Sequence, residues 1–468
     1  MPSFLAKLVK KSIMLKLALI LVLAHSAFFA FSIGPHELAV LVNDSSLDSM
    51  MLANYYCKLR GVPECNIVKV ELPEDVFNPK KEIKISHENF TKYIWEPFQN
   101  VIKERGLDSQ ILAVALSCDF PTTVTTDPET SVTGVIFARN ELPESMKIKS
   151  GQAISSLFAG PKDKNNAVFL SKSLDEMVVK PGAVQPLPAM MIAYIGPRGM
   201  TYDAAQQFVI EMATVDYSAP KGTYYFETNE DVRTKCRLWE YPIAENILHN
   251  VTFPGISIMI TNAPPSVDLP IIGYMTGNRY VKPQQMLLIR GAFADHLTSF
   301  GAAFGEGGHT KITKWLEAGA GFSAGAVTEP YAIWQKFPSA VIFAHYLTGC
   351  TAIESLYLSV ASPYQLLAMG DPLVKPWAQK FDVAMNPIPE KVSGKQILSV
   401  DESVVKHELT NRYYWLVDGK RLGFGKKFAW DTKKEKNGRH KVRLVVGKTI
   451  DGVVRQQCFV EKTVVVEN

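Results

Sequence analysis

The feature that most constrains the fold is an alternation of apolar runs with helix-like segments in the first quarter of the chain. The runs HELAVLVND, IVKVELP and QILAVALSCDFPTT are rich in β-forming residues and show little polar alternation, as strands buried on both faces do. Between them, SLDSMMLANYYCKLRG and SHENFTKYIWEPFQNVIKERG have helical spacing, and the first ends at a glycine. This order predicts an α/β fold with a doubly wound, mostly parallel sheet and flanking helices.

The N-terminus has the pattern of an export signal. Four lysines and no acid precede an apolar run over residues 17–31, which is too short for a typical membrane span. The small residues of AFS favour cleavage before Ile33, and cleavage after Ser26 is the alternative. We therefore expect residues 1–32 to be a signal peptide. The mature chain is then exported to the periplasm, the cell surface or the medium, and has no other segment apolar enough to cross a membrane.

The rest of the chain divides into two parts by its sequence pattern. Residues 33–385 continue the α/β pattern, and residues 121–187 form an insertion or excursion from the sheet, where Thr, Asp, Gly, Pro and Lys accumulate. Beyond Pro387, short β-rich runs are separated by turn dipeptides such as Asp418-Gly419 and Asp451-Gly452. Residues 390–468 are predicted to form a small immunoglobulin-like β-sandwich.

Charge is unevenly distributed between the two parts. Residues 388–468 have 17 basic and 10 acidic side chains, whereas the α/β part has an excess of acid. The α/β part is therefore not expected to bind nucleic acid, which requires clustered cations. The basic C-terminal domain suits binding to an acidic surface or a polysaccharide. The alternative is that its basic residues only form a solvent-exposed face of a sheet.

Several segments resemble a known family. LDSMMLANYYCKLRGVP, ILAVALSCDFPTT, GYMTGN, GAGFSAGAVTEP and AMGDPLVKPW occur in the order found in an uncharacterised group of exported bacterial proteins. That group is distantly similar to gingipain-type cysteine peptidases, and the resemblance covers the mature chain up to about Trp377. It implies a caspase-like fold, in which the Gly-Asp-Pro stretch around Asp371 shapes the last turn of the domain.

The same resemblance implies where a catalytic Cys/His dyad should lie, and the sequence departs from it there. These peptidases use a His followed by Gly after one strand and a Cys after the next, the thiolate attacking while the His transfers the proton. Here YMTGN has Asn278 in place of the His, and an amide cannot serve as a titratable base. The next strand, MLLIRGAFADH, contains no Cys. His345 and Cys350 are a poor substitute, because five helical residues separate their directions by about 140°.

Other polar residues remain as site candidates. RGAFADHLTS contains Arg290, Asp295, His296 and Ser299, which include the residue types used for acyl transfer, although triads usually combine separate elements. The alternative is a polar helix start beside a strand end. A position near the carboxyl end of a strand favours a ligand site in an open α/β sheet.

Carboxylates at strand ends form a second set of candidates. Asp44 and Asp119 follow predicted strands, and Glu329 follows a Gly/Ala-rich strand, so the three could meet at one edge of the sheet for acid/base or metal chemistry. Asp44 is also a good cap for the next helix, and Glu329 suits a loop-fixing hydrogen bond. The six cysteines show no metal-ligand spacing, and Cys57 with Cys65 is either a local disulfide or a pair of buried thiols. No metal site is predicted, and any cofactor is left open.

Two classes of function fit these features. The first is a binding or surface protein that keeps a peptidase-like scaffold without gingipain-type activity. The second is an exported hydrolase with a rebuilt polar site at the carboxyl-end rim of the sheet. Convergence of Asp119, Arg290, His296 and Glu329 in one pocket would favour the hydrolase.

Overall fold

The computed structural model describes residues 32–81, 83–164, 185–251, 253–406, 411–450 and 454–468. The predicted signal peptide lies outside this part of the chain, apart from Ser32. Among the described residues, no helix has the length and apolar character needed to cross a membrane.

A ten-stranded sheet organises the larger part of the chain, with the order β2-β1-β4-β7-β13-β12-β11-β10-β8-β9. Several of its strands are completely buried, as is typical of parallel sheets. Most neighbouring strands pair in parallel, so the mostly parallel sheet predicted from the sequence is confirmed. Its strands are β1 (Leu38–Asn43), β2 (Ile67–Val70), β4 (Ala113–Leu116), β7 (Ala189–Met191), β8 (Gly222–Glu227), β9 (Ile256–Thr261), β10 (Ile271–Thr276), β11 (Leu288–His296), β12 (Ala320–Ala326) and β13 (Leu366–Gly370).

The helices connect these strands. The first, α1, begins at the cap Ser46 and ends at Gly61 in the left-handed conformation, as the sequence predicts. The helix that begins at His87 contains a π-helical segment over Thr91–Trp95. The α-helices are α1 (Leu47–Arg60), α2 (His87–Phe90), α3 (Glu96–Glu104), α4 (Val132–Phe137), α5 (Ser145–Lys149), α6 (Tyr202–Met212), α7 (Val232–Lys235), α8 (Tyr241–Asn250), α9 (Thr313–Glu317), α10 (Ile342–Leu347) and α11 (Ala352–Ser359).

The strand β13 runs against its neighbours. It pairs antiparallel with β12 along its whole length and meets β7 only at Met369 with Met191. That single bridge has the hydrogen-bond pattern of a parallel pair. One bridge does not fix the direction of a strand, so the direction of β13 is taken from the contacts at its end. Asp371, just past the end of β13, binds Arg60 in the last turn of α1, which runs from the carboxyl end of β1 back to the amino end of the sheet. The other nine strands of the ten-stranded sheet thus share one direction.

A buried ion pair fixes the end of β13. The carboxylate of Asp371 accepts hydrogen bonds from the Tyr56 hydroxyl at 3.0 Å, Arg60 Nε at 2.7 Å and the Leu373 amide at 2.9 Å. Arg60 also binds Asp216 at 2.7 Å, at the end of the loop after α6. The bond to Leu373 confirms the predicted turn, and the ion pair adds a structural role that the turn alone did not suggest.

The sheet contains two points where the strand order reverses. The first lies between β1 and β4, because β2 is on one side of β1 and β4 is on the other. The second lies between β8 and β10, with β9 on the far side of β8. Tyr194, just after β7, stacks on Phe304, which follows β11, so the carboxyl ends of both halves share one edge. Open α/β sheets bind ligands in the crevices at such reversal points.

The predicted excursion at 121–187 contains regular structure in its described part. β5 (Thr123–Thr125) and β6 (Thr130–Ser131) form a small sheet with β3 (Lys84–Ser86), and α4 and α5 follow them. Residues 165–184 lie outside the described chain.

The C-terminal part is a separate β domain with its own apolar core around Trp415 and Trp430. The β16–β17 turn at Asp418-Gly419 has positive φ at both residues, which confirms the predicted hairpin; Asp451-Gly452 lies outside the described residues. A five-stranded sheet in the order β14-β20-β19-β16-β17 faces a two-stranded sheet, β15-β18. Its strands are β14 (Lys391–Val392), β15 (Lys395–Ser399), β16 (Arg412–Val417), β17 (Lys420–Phe424), β18 (Lys427–Asp431), β19 (Gly438–Ile450) and β20 (Val454–Val466).

The β domain is hydrogen-bonded to the α/β part. The Gln110 side chain donates to the Gly419 carbonyl at 2.7 Å and accepts from the Arg421 amide at 2.9 Å. Gln457 donates to Glu37 at 2.9 Å, close to the start of β1. These buried contacts hold the two parts together at the end of the sheet opposite the shared carboxyl-end edge.

Candidate functional site

A polar cleft of about 350 Å³ opens at the first reversal point of the sheet. We call it the switch cleft, and it lies where β1 and β4 end side by side. Carboxylates outnumber cations in its wall. Its lining residues are Asn43, Ser45, Ser46, Leu47, Asp48, Leu72, Glu74, Phe77, Asn78, Pro79, Lys80 and Asp119.

Asp119 has an unusual backbone in this cleft. Its φ is +59°, a left-handed value that few residues other than glycine adopt. The side-chain amide of Asn43 donates to the Asp119 carbonyl at 2.8 Å and so ties the loop after β4 to the end of β1. Backbone strain of this kind is concentrated at ligand-binding and catalytic sites.

The Asp119 carboxylate is held by the start of α1. Ser46 Oγ donates to Oδ2 at 2.5 Å while it accepts the Ser49 amide as the helix cap. No hydrogen bond from the described residues reaches Oδ1, so this oxygen is available to a ligand. Partial burial raises the pKa of Asp119, and the hydrogen bond from Ser46 opposes that rise.

A second polar network occupies the other reversal point. Glu227, at the end of β8, accepts hydrogen bonds from the Tyr274 hydroxyl and from Asn278 Nδ2, the latter at 2.6 Å. Asn229 donates to Asn278 Oδ1 at 2.8 Å. The residue in place of the expected histidine is therefore bound into a network with a carboxylate. Sequence reasoning did not identify Glu227, although its place after the run GTYYF was a usable signal.

His296 is enclosed at the end of β11. Its Nδ1 accepts the Trp315 indole N–H at 2.8 Å, so the ring proton is on Nε2, which donates to the Thr310 carbonyl at 2.8 Å. Burial lowers the pKa of His296 to about 4. The imidazole is therefore neutral at pH 7, and both of its nitrogens have protein partners.

Asp295 belongs to a buried ion pair. Its carboxylate lies 2.5 Å from Arg237 Nη2, and both side chains are buried. Burial raises the pKa of Asp295, and the guanidinium of Arg237 counteracts that rise. Arg237 also donates to the carbonyls of Thr276 and Pro338 at 2.9 and 3.1 Å, so the pair joins strand ends to the loop before α10. RGAFADH is strand throughout, which corrects the alternative of a helix start.

The remaining predicted residues lie apart from these sites. Arg290 is six residues before His296 on the same strand, about 20 Å away, and its guanidinium binds Glu211 at 2.9 Å on the surface. Ser299 is almost buried in the loop after β11. Glu329 is exposed and accepts the Tyr331 amide at 2.8 Å, the local bond expected of a loop-fixing residue.

The carboxylates that the sequence placed at one edge do not meet. The strands β4 and β12 are three positions apart in the sheet, roughly 14 Å at about 4.8 Å per strand. Asp119 and Glu329 follow these strands, so they share the edge without sharing a pocket. Asp44 binds Lys69 at 2.7 Å on the surface. Among the described residues, no group of three metal-ligating side chains could hold a metal ion.

Three of the thiols are enclosed as well. None of the six cysteines forms a disulfide bond within the part of the chain that the structure describes, and Cys57, Cys118 and Cys350 are buried. Burial raises the pKa of Cys57 to about 12 and that of Cys118 further. Burial also lowers the pKa of His345 to about 3. A buried thiol with a raised pKa is a poor nucleophile.

Comparison with known proteins adds little to this geometry. No family model matches the chain, and no curated protein matches it. A solved structure of fibronectin(III)-like modules of Clostridium thermocellum CbhA is 12% identical over 23% of this chain and 53% of that chain, with a TM-score of 0.14. The chain spans about half the length of that structure. A likeness this weak defines neither fold nor function.

Proposed function

We propose that the chain is an exported binding protein that keeps a gingipain-like, caspase-like scaffold without cysteine peptidase activity, followed by an immunoglobulin-like domain. One observation carries the proposal: hydrogen-bonded side chains other than a Cys/His dyad occupy both positions expected for it, and His296 is fully buried. Asn278 is bound to Glu227, and His296 at the end of β11 is bound to Trp315. The burial of Cys350 supports the same conclusion, because a substrate cannot reach its thiol.

We place the ligand in the switch cleft. Asp48, Glu74 and Asp119 outnumber the cation Lys80 there, and amide and hydroxyl groups complete the wall. Such a wall offers mainly hydrogen-bond acceptors and a negative potential, so it suits a small ligand rich in hydroxyl and ammonium donors. An amino sugar has both groups. The basic β domain would then contact the acidic surface or polysaccharide around the ligand.

The absence of peptidase chemistry is tested with a thiol-directed activity probe. A peptidyl acyloxymethyl ketone should not label Cys350 in the native protein, because this thiol is buried. Labelling that disappears in Cys350→Ala would overturn this half of the proposal.

Ligand binding is tested by thermal shift with glucosamine, using N-acetylglucosamine as the uncharged control. Glucosamine should raise the Tm of the native protein, and Asp119→Asn should remove most of that rise, because the open Oδ1 belongs to a carboxylate. Glu129→Gln, which changes a carboxylate outside the cleft, is the matched control and should respond like the native protein. An equal response of both variants would place the ligand elsewhere.

A hydrolase is the second candidate, favoured by one observation. The raised pKa of Asp119, together with its strained backbone, fits a general acid as well as a binding group. If the native protein cleaves a glucosamine oligomer and Asp119→Asn binds it without cleavage, the hydrolase is correct. Unchanged oligomer in the presence of the native protein favours the binding protein.

A further inference from the structure

We propose that the outer edge of β9 is a docking site for an extended peptide with uncharged, apolar side chains at alternate positions. This inference is independent of the switch cleft. The strand β9 lies at one edge of the ten-stranded sheet, where it pairs with β8.

The sequence of β9 leaves this edge open. The strand is ISIMIT, with no charged residue and no proline. The other outer strand of the sheet, β2, is shorter and has Lys69 near its centre, paired with Asp44. Lysine and short length are two common ways by which proteins block edge pairing, and β9 uses neither of them.

The register shows which backbone groups face outward. The Gly222 amide donates to the Gly255 carbonyl at 3.1 Å, and the Thr228 amide donates to the Thr261 carbonyl at 2.8 Å. Because a strand directs alternate residues to opposite neighbours, the amides and carbonyls of Ile256, Ile258 and Ile260 point away from β8. Three residues therefore offer a ladder to an added strand.

An apolar pocket lies beside this ladder. It has a volume of about 330 Å³ and is lined mainly by Leu248, Val251, Phe253, Pro254, Ile256 and Ile258. In strand addition, main-chain hydrogen bonds supply affinity and pockets for alternate side chains supply specificity. The side chains of a peptide beside Ile256 and Ile258 would point to the same face as the pocket.

The size of the surface favours a peptide over a second copy of the chain. Six residues extend only about 20 Å at ~3.3 Å per residue. Together with the pocket this buries far less than the roughly 800 Å² per partner of a standard stable interface. An extended segment, by contrast, uses the ladder and the pocket fully.

The test measures the binding of a fluorescein-labelled synthetic peptide, GISIMITN, which has the required alternation, by anisotropy. The native protein should bind it. Met259→Lys should weaken binding by about tenfold or more, because a lysine beside the ladder blocks edge pairing. Met146→Lys is the matched control, since Met146 is an exposed methionine on α5, and it should bind like the native protein. Met259 is 41% exposed, so the lysine has room without disturbing the core.

Further measurements remove the remaining ambiguity. Ile258→Thr shrinks the pocket wall and should also weaken binding, which keeps the test valid if Met259→Lys fails to fold. No binding to the native protein at about 1 mM peptide, or equal binding by all variants, would overturn the proposal. Sedimentation velocity provides the third criterion. A native dimer that Met259→Lys dissociates would show that a second copy occupies the edge, and would overturn the choice of a peptide.

Discussion

Replacement of His296 tests the enclosed site by its effect on the pH dependence of stability. Folding lowers the pKa of this imidazole from 6.5 to about 4. At about 1.4 kcal/mol per pKa unit, keeping this ring neutral contributes about 3.5 kcal/mol to the free energy of unfolding. Because the folded pKa is the lower one, this contribution is fully present above about pH 6.5 and is lost as the pH falls towards 4.

The variant His296→Gln isolates this term. A glutamine can accept from Trp315 and donate to Thr310, as the histidine does, but it does not titrate. Urea unfolding at about pH 7.5 and about pH 4.5 should show that the native protein loses about 2.5 kcal/mol more than the variant over this interval. The other buried histidines are present in both proteins, so their effects cancel in this difference.

His249→Gln is the matched control, since the side chain of His249 is 67% exposed. It should lose as much free energy as the native protein over the same interval. If His296→Gln also loses as much as the native protein, the enclosed, neutral histidine is incorrect, and His296 becomes available again as an acid or base.

Two further predictions concern the backbone and the cleft. Gly370→Ala should lower the Tm clearly more than Gly438→Ala. Both glycines have φ near +136°, but only at Gly370 would the new Cβ collide with a backbone carbonyl oxygen, that of Gly321. Equal shifts in Tm would contradict this close approach. Ser46→Ala and Ser86→Ala each remove a helix cap and should each cost about 1 kcal/mol of unfolding free energy. Only Ser46→Ala should raise the pKa of Asp119 in a carboxyl NMR titration, and a rise in both variants would contradict the Ser46 hydrogen bond.

The sequence was sufficient for features set by local pattern. Apolar runs without alternation gave the buried strands, and two residues with a turn preference gave the Asp418-Gly419 hairpin. Asp119 was also accessible to sequence reasoning, because polar residues directly after a buried strand lie at the carboxyl edge of a parallel sheet.

The rest depended on contacts between distant residues. Glu227 and Asn278 meet because β8 pairs with β10, and no local pattern fixes that pairing. Arg290 and His296 are close in sequence, but an extended strand separates them by about 20 Å, whereas a helix would have brought them nearer. Asp295 is paired in the buried strand with Arg237, which is 58 residues away in the chain. His296 is bound there by Trp315, which is 19 residues away.

The position of β13 has a consequence for the order in which the sheet is completed. This strand is the last of the ten in the chain, yet it lies in the middle of the sheet, between β7 and β12. Until residues 366–370 have left the ribosome or crossed a membrane, the two halves cannot join, and each keeps an unpaired edge. Such edges pair readily with other chains. The chain is therefore most exposed to aggregation just before its central strand emerges, and a holdase that acts at this stage would protect it better than one that acts earlier.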